Sequence, residues 1–197
     1  MRSIKQIKNI KGKIALVRVD FNVPIKNGKV ENDFRIRAAL PTIKFLLKRG
    51  ATIILITHLG KDGRASLKPV IKRFFAISKI AKNKIAFFDN VRKFPGEMKN
   101  DPVFAKKLSE MGNIYVNDAF SVSHREHASI VSLPKYLPSF AGLELEEEVK
   151  HLSCAFSKIR HPFLFILGGA KFSTKMPLIQ KYLKLVDNIF IGGALAN

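Results

Sequence analysis

Apolar residues along the chain follow two rhythms that alternate. Short β-branched runs at Ile14–Val19, Thr52–Thr57, Lys84–Phe88, Asn113–Val116, Phe163–Leu167 and Asn188–Ile191 read as strands. Between them the apolar positions recur every three to four residues over Arg35–Lys48, Leu67–Ala81, Pro102–Met111, Leu143–Ile159 and Lys175–Val186, which reads as helix. Gly50 is placed to end the first helix, and Asp101-Pro102 to begin the third. Strand–helix alternation predicts an α/β fold with a Rossmann-like parallel sheet and helices on both of its faces. Right-handed crossovers then bring every strand's carboxyl end to one edge, where ligands of such sheets bind.

The polar residues gather at those predicted strand ends. The first strand stops on Asp20 and Asn22, with Pro24 breaking the ladder. The second stops on His58-Leu59-Gly60-Lys61, the third on Asp89-Asn90-Val91-Arg92, the fourth on Asn117-Asp118-Ala119-Phe120 and the fifth on Gly168-Gly169-Ala170-Lys171. Arg35, opening the first helix, and Arg125, in the loop after the fourth strand, are within reach of the same edge. Guanidinium, imidazole and ammonium groups together suit a phosphate and a carboxylate. The Gly-Gly-Ala-Lys run resembles a phosphate loop without being a Walker A motif, and Lys175 lies one helical turn beyond Lys171. His124 and His127 have no third ligand at a telling spacing, so no metal site is expected there. Glu144–Glu148 reads as the exposed, acidic first part of a helix.

Composition narrows the field. The chain has 197 residues and a formal net charge of +20, from 35 Lys and Arg against 15 Asp and Glu, so its partners are anionic. Its longest apolar runs are too short to span a bilayer and the first residues lack a secretory h-region, which predicts a cytoplasmic protein that does not enter membranes. Cys154 is the single cysteine, which excludes an internal disulfide, and its place on the helical apolar side predicts a core position.

A set of motifs resembles one family. Arg18-Val19-Asp20-Phe21-Asn22-Val23-Pro24, Arg35-Ile36-Arg37-Ala38-Ala39-Leu40-Pro41-Thr42-Ile43, His58-Leu59-Gly60, Ser66-Leu67-Lys68-Pro69-Val70, Asn117-Asp118-Ala119-Phe120, His124-Arg125 and Leu167-Gly168-Gly169-Ala170-Lys171 resemble phosphoglycerate kinase, in that family's order. The resemblance implies a monomeric glycolytic enzyme moving a phosphoryl group between 1,3-bisphosphoglycerate and Mg-ADP, giving 3-phosphoglycerate and ATP. It implies that Asp20, Asn22 and Arg35 orient the glycerate and its carboxyl end, and that His58, Arg92 and Arg125 hold the 3-phosphate. Phe21, Leu59, Gly60 and Lys61 would line the same substrate site. Lys171 would stabilise the transferring phosphoryl group, with Arg35 the second catalytic residue. Gly169, Ala170, Lys171, Lys175 and Gly193 would face the nucleotide, and the ligands of its Mg²⁺ are expected mostly beyond this chain.

The chain departs from the family pattern in four ways. Lys61 stands where the family has arginine, and Thr174 where it has aspartate. A βα unit usual before Lys84 is absent, and the chain reaches Asn197 where the nucleotide lobe begins. The expected division is a 3-phosphoglycerate domain over residues 1–172, a hinge helix over 173–187, and the first strand of a nucleotide domain over 188–197. Such a chain is expected to bind 3-phosphoglycerate weakly and to turn over little or nothing by itself. The competing readings are a non-catalytic lobe or pseudoenzyme and a basic nucleic-acid-binding module. Carboxylates at the strand ends, which would repel a phosphate backbone, argue against the latter, and no specific nucleic acid is expected.

Overall fold

The computed structural model describes residues 1–157, 159–169 and 176–195. Its elements fall in two units, Met1–Val149 and Lys150–Asn197.

The first unit is built on β1 (Ile14–Val19), flanked by β4 (Thr52–Ile56) and β6 (Ile114–Asp118), with β5 (Ile85–Phe87) and β7 (Ser139–Ala141) outside them. The order is β5-β4-β1-β6-β7 and every pairing is parallel, with Val17 beside Leu55 on one side and Val116 on the other. Side chains alternate between two cores, as the strand period of two requires. Ala15, Val17, Val19, Ile53 and Leu55 join α1 (Phe34–Lys48) and α2 (Lys68–Ser78) through Ile36, Ile43, Leu46, Val70 and Phe74. Leu16, Ile56 and Tyr115 face the other way, onto Ala105 and Leu108 of α4 (Pro102–Ser109) and onto Leu133. Helices thus cover both faces, and the parallel α/β architecture is as expected.

Three short strands and one short helix of this unit are not announced by the sequence pattern. Ile25–Lys26 (β2) and Lys29–Val30 (β3) form a small antiparallel hairpin, turned by Asn27 and Gly28 with φ of 51° and 70°. Asn-Gly between two short runs is a direct signal for that turn, because both central residues need positive φ. β7 is only three residues long and follows a proline-rich loop, so no alternation announces it. It takes the fifth place in the sheet that the sequence assigned to the run at 163–167. A short helix, α3 (Pro95–Met98), also went unread. α5 (Leu143–Ser157) follows β7, and Cys154 within it is exposed, which corrects the expected core position: a helical stripe places a residue on a face, and packing decides whether anything covers it.

The second unit has its own two-stranded parallel sheet, β8 (Leu164–Gly168) with β9 (Asn188–Gly192), joined through α6 (Met176–Tyr182). Leu167, Ile179 and Leu195 form its small core, while Leu164, Ile166 and Phe190 are exposed. The grouping of the chain changes after Val149. Packing sets this: β8 pairs with β9 and, among the described residues, with no strand of the five-stranded sheet.

Candidate functional site

Parallel pairing brings the carboxyl ends of β1, β4, β5 and β6 to one edge. β1 and β6 are neighbours whose chains continue in opposite directions, toward β4 and toward β7. Divergence of that kind opens a crevice. A cleft of about 360 Å³ lies there, with Asp20, Arg35, Asp118, Ser121, Glu144 and Glu148 in its walls.

Asp20 organises one side of the cleft. Its Oδ1 accepts from the Asn22 N–H at 3.0 Å, and its Oδ2 accepts from the Arg35 guanidinium at the start of α1 and from Ser121 Oγ. Asn22 Oδ1 in turn accepts from the Gly60 N–H at 3.0 Å, which ties the loop after β1 to the loop after β4. Asn90 holds that second loop from below, donating from Nδ2 to the carbonyls of Leu59 at 2.8 Å and Ala65 at 3.0 Å. Arg92 Nη1 donates to the Gly60 carbonyl at 2.8 Å. Gly63 lets this loop lie directly on the Arg92-Lys93 backbone, since at φ +78° a Cβ would sit 2.3 Å from Lys93 N.

Beneath these loops a buried network runs through β1. Arg18, on the same face as Leu16, is fully buried, and its desolvation is met by three hydrogen bonds. Nε donates to Ser129 Oγ at 3.0 Å, Nη1 to the Val19 carbonyl at 2.6 Å, and Nη2 lies 3.3 Å from His58 Nδ1. Glu97 of α3, also fully buried, accepts from Ser129 Oγ at 2.6 Å and from the Ser129 N–H at 2.9 Å. His127 Nδ1 lies 3.8 Å from the same carboxylate.

The cations of this end work against one another. Burial, then Arg18 and Arg92, push the His58 imidazole down to about 3, with Asp20 opposing and Arg125 adding to the shift. Burial followed by Arg92, Arg125 and Arg18 brings His127 down to about 4. Arg92 is itself lowered by burial and then by Arg125 and Arg18, against the pull of Glu97 and Asp20. Arg92 Nε and His127 Nδ1 are buried without a hydrogen-bond partner. Like charges held together in this way raise the energy of the empty site and lower it once an anion arrives, which is the electrostatic form of an anion-binding site.

Of the residues singled out from sequence, Asp20, Asn22, Arg35, His58, Gly60, Arg92 and Arg125 are brought to this edge by bonds or by mutual charge. Phe21 and Leu59 lie beside them with their side chains in the core; Phe21 packs on Phe74 and Phe87 at 6.0 and 6.4 Å between ring centres. Lys61 is exposed just after Gly60. In the second unit, Gly168 and Gly192 pair at the ends of β8 and β9, and a Cβ on Gly193 would lie 3.6 Å from Gly169 N, so Gly169 and Gly193 are neighbours. Ala170, Lys171, Thr174 and Lys175 lie outside the described residues. Among the described residues, no three His, Cys, Asp or Glu side chains are grouped to hold a metal ion.

Sequence reasoning missed Arg18, Glu97 and Ser129 as parts of the site. For Arg18 a signal existed: an arginine in the middle of an apolar central strand must find buried partners. Glu97 and Ser129 gave none, lying in loops and short turns where polar residues are ordinary.

The family model for phosphoglycerate kinase matches residues 4–78 and 73–197. The chain belongs to the phosphoglycerate kinase family. The phosphoglycerate kinase of Coprothermobacter proteolyticus is 42% identical over 221 residues, covering 99% of this chain and 56% of that protein. That of Gloeobacter violaceus is 44% identical, covering 95% of this chain and 53% of its own length. The solved phosphoglycerate kinase of Coxiella burnetii superposes with a TM-score of 0.87 at 34% identity, over 99% of this chain and 55% of that one. The chain therefore spans about half the length of the relatives it matches.

The alignment with the Coprothermobacter protein covers 221 positions against a chain of 197 residues, so that phosphoglycerate kinase carries about two dozen residues that this chain lacks. The two matched segments of the family model meet at 73–78, within α2. The chain passes from α2 to the edge strand β5 through only Lys79–Lys84, in keeping with the βα unit missing from its sequence.

Proposed function

We propose that the Met1–Val149 unit binds 3-phosphoglycerate and that the protein acts in phosphoryl transfer between 1,3-bisphosphoglycerate and Mg-ADP. The observation that carries this reading is the group of Arg18, Arg92 and Arg125 with His58 and His127, mutually destabilised at the sheet edge and only partly compensated by Glu97 and Asp20. A phosphate monoester offers three acceptor oxygens to such a cluster, and arginine matches it with paired donors. Asp20 holds Arg35 beside the cleft, where its remaining donors would face the carboxyl end of a three-carbon acid. Phosphoryl transfer asks the protein mainly to position two substrates and to place positive charge around the moving group. Lys171 fits that second role by charge.

Gly169 and Gly193 would carry the nucleotide side, because adjacent glycines at strand ends let backbone N–H groups approach a phosphate. Magnesium bound to the nucleotide would supply charge neutralisation on its phosphates. On this reading residues 1–172 serve the acid substrate, 173–187 act as a hinge and 188–197 open a nucleotide domain. The setting is cytoplasmic glycolysis, with the complete enzyme a monomer. Isothermal titration with 3-phosphoglycerate tests the first part: saturable heat that sulfate competes away is expected, and no binding at millimolar ligand sinks the reading. A coupled assay tests the second, with turnover by this chain alone expected to be negligible.

A further inference from the structure

The buried network fixes more than the place of Arg18. A guanidinium has five N–H donors and no acceptor, so where Arg18 Nη2 meets His58 Nδ1 at 3.3 Å the ring nitrogen must accept. A ring that accepts at Nδ1 is neutral and carries its proton on Nε2. His58 Nε2 has no hydrogen-bond partner among the described residues, so that N–H remains for a ligand.

The arrangement is set from behind. Ser129 Oγ gives its proton to Glu97 Oε1 at 2.6 Å, which turns a lone pair toward Arg18 Nε at 3.0 Å. Glu97 Oε2 accepts the Ser129 N–H at 2.9 Å, and the Tyr115 hydroxyl donates to the Ser129 carbonyl at 2.6 Å, so Ser129 has one orientation. We propose that Glu97, acting through Ser129 and Arg18, holds His58 as the neutral Nε2–H tautomer, so that His58 meets the substrate's phosphate as a hydrogen-bond donor and not as a cation. Glu97 is then a positioning residue, and it touches no ligand itself. The proposal rests on reading this end as the phosphate site.

The charged groups facing His58 agree with a neutral ring. Arg18 comes from β1, Arg92 from the loop after β5 and Arg125 from the loop after β6, against the single carboxylate of Asp20. A proton added to the ring would join three cations in a buried place. Binding should then follow the second ionisation of the phosphate, near pH 6, with no further loss as pH rises through the ordinary histidine range.

The test uses the full chain labelled with ¹⁵N-histidine, without ligand, from pH 5 to 8, with His58 assigned by the signal lost in His58→Asn. Long-range ¹⁵N–¹H correlations should show a protonated Nε2 and a bare Nδ1 that do not titrate. Glu97→Gln and Ser129→Ala should release the ring into a tautomer mixture and weaken 3-phosphoglycerate about tenfold, the effect of losing one charge-assisted hydrogen bond. A role of Glu97 in stability alone would leave the tautomer unchanged in a folded variant, and that result overturns the proposal. Should both variants fail to fold, the wild-type spectrum still decides, because an Nδ1–H ring or a titration near pH 6.5 refutes it. A neutral Nε2–H ring in a protein that binds no 3-phosphoglycerate would instead refute the ligand and leave the tautomer standing.

Discussion

The sheet edge holds two charged ends that look alike in sequence and are built in opposite ways. Beyond β6, Asp118 is buried, and its Oδ1 accepts from the N–H groups of Glu144 and Leu145 at 3.0 and 3.3 Å, capping the start of α5. Gly142 permits that approach, since a Cβ there would lie 2.0 Å from Asp118 Oδ1. Beyond β1, β4 and β5, the arginines crowd one another and keep the two histidines neutral, and Arg92 Nε and His127 Nδ1 are unpaired. At Asp118 one oxygen is answered by backbone donors of the same chain, while Oδ2 is left unpaired. A charge that serves a ligand is left for the ligand to answer.

The sharpest way to break this comparison is to remove the second kind of charge. Arg92→Met combined with Arg125→Met should reduce 3-phosphoglycerate affinity by at least about 100-fold in titration calorimetry, each arginine–phosphate contact being worth roughly tenfold or more. The thermal midpoint of the double variant should not fall, because mutual repulsion goes with the charges; a large loss of stability would place these arginines with the structural charges. Gly142→Ala asks the converse. It should cost about 2–3 kcal/mol in urea unfolding through overpacking against Asp118, while the folded protein keeps its affinity.

The two ends should also tilt stability in opposite directions with pH. Burial pushes Asp118 up to about 6, with Glu144 adding and Thr42 and the Leu145 and Glu144 N–H groups opposing. The folded state therefore holds that proton more tightly than the unfolded chain, and the stability this gives is present below pH 3.8 and lost as pH rises through about 6. His58 and His127 are held down to about 3 and about 4, so the unfolded chain takes up their protons first, and stability is lost as pH falls below 6.5. Asp118→Asn should steepen the rise of stability between pH 4 and 6.5, by about 3 kcal/mol at most for a shift of this size. An unchanged slope in chemical denaturation would mean that Asp118 does not titrate in this window. The smallest effect is expected at Lys61, exposed beside Gly60. Lys61→Arg should raise affinity about threefold, by restoring a planar fork to the rim of the anion end.

Much of this edge was readable in advance. The apolar runs that became β1, β4 and β6 end on Asp20, His58 and Asp118, and parallel topology is enough to bring such ends together. Arg35, Arg92 and Arg125 could be chosen because arginines near several strand ends share one edge. Glu97 could not be chosen, because its partner Ser129 is 32 residues away and nothing local marks either one. β7 and the exposure of Cys154 escaped for a related reason: three residues carry no period, and a helical stripe does not say what lies against it.

The sequence by itself determined the alternation of strands and helices, the edge at which polar groups collect and the family to which the motifs point, since periodicity and turn chemistry act over a few residues. The tertiary structure alone decided which of those polar groups are satisfied. Arg18 reaches Ser129 across 111 residues and His58 across 40, and Asp118 meets α5 across 26. Hydrogen bonds and desolvation depend on distances of about 3 Å that only the packed chain sets, and so the difference between a cap and an anion site appears only in three dimensions.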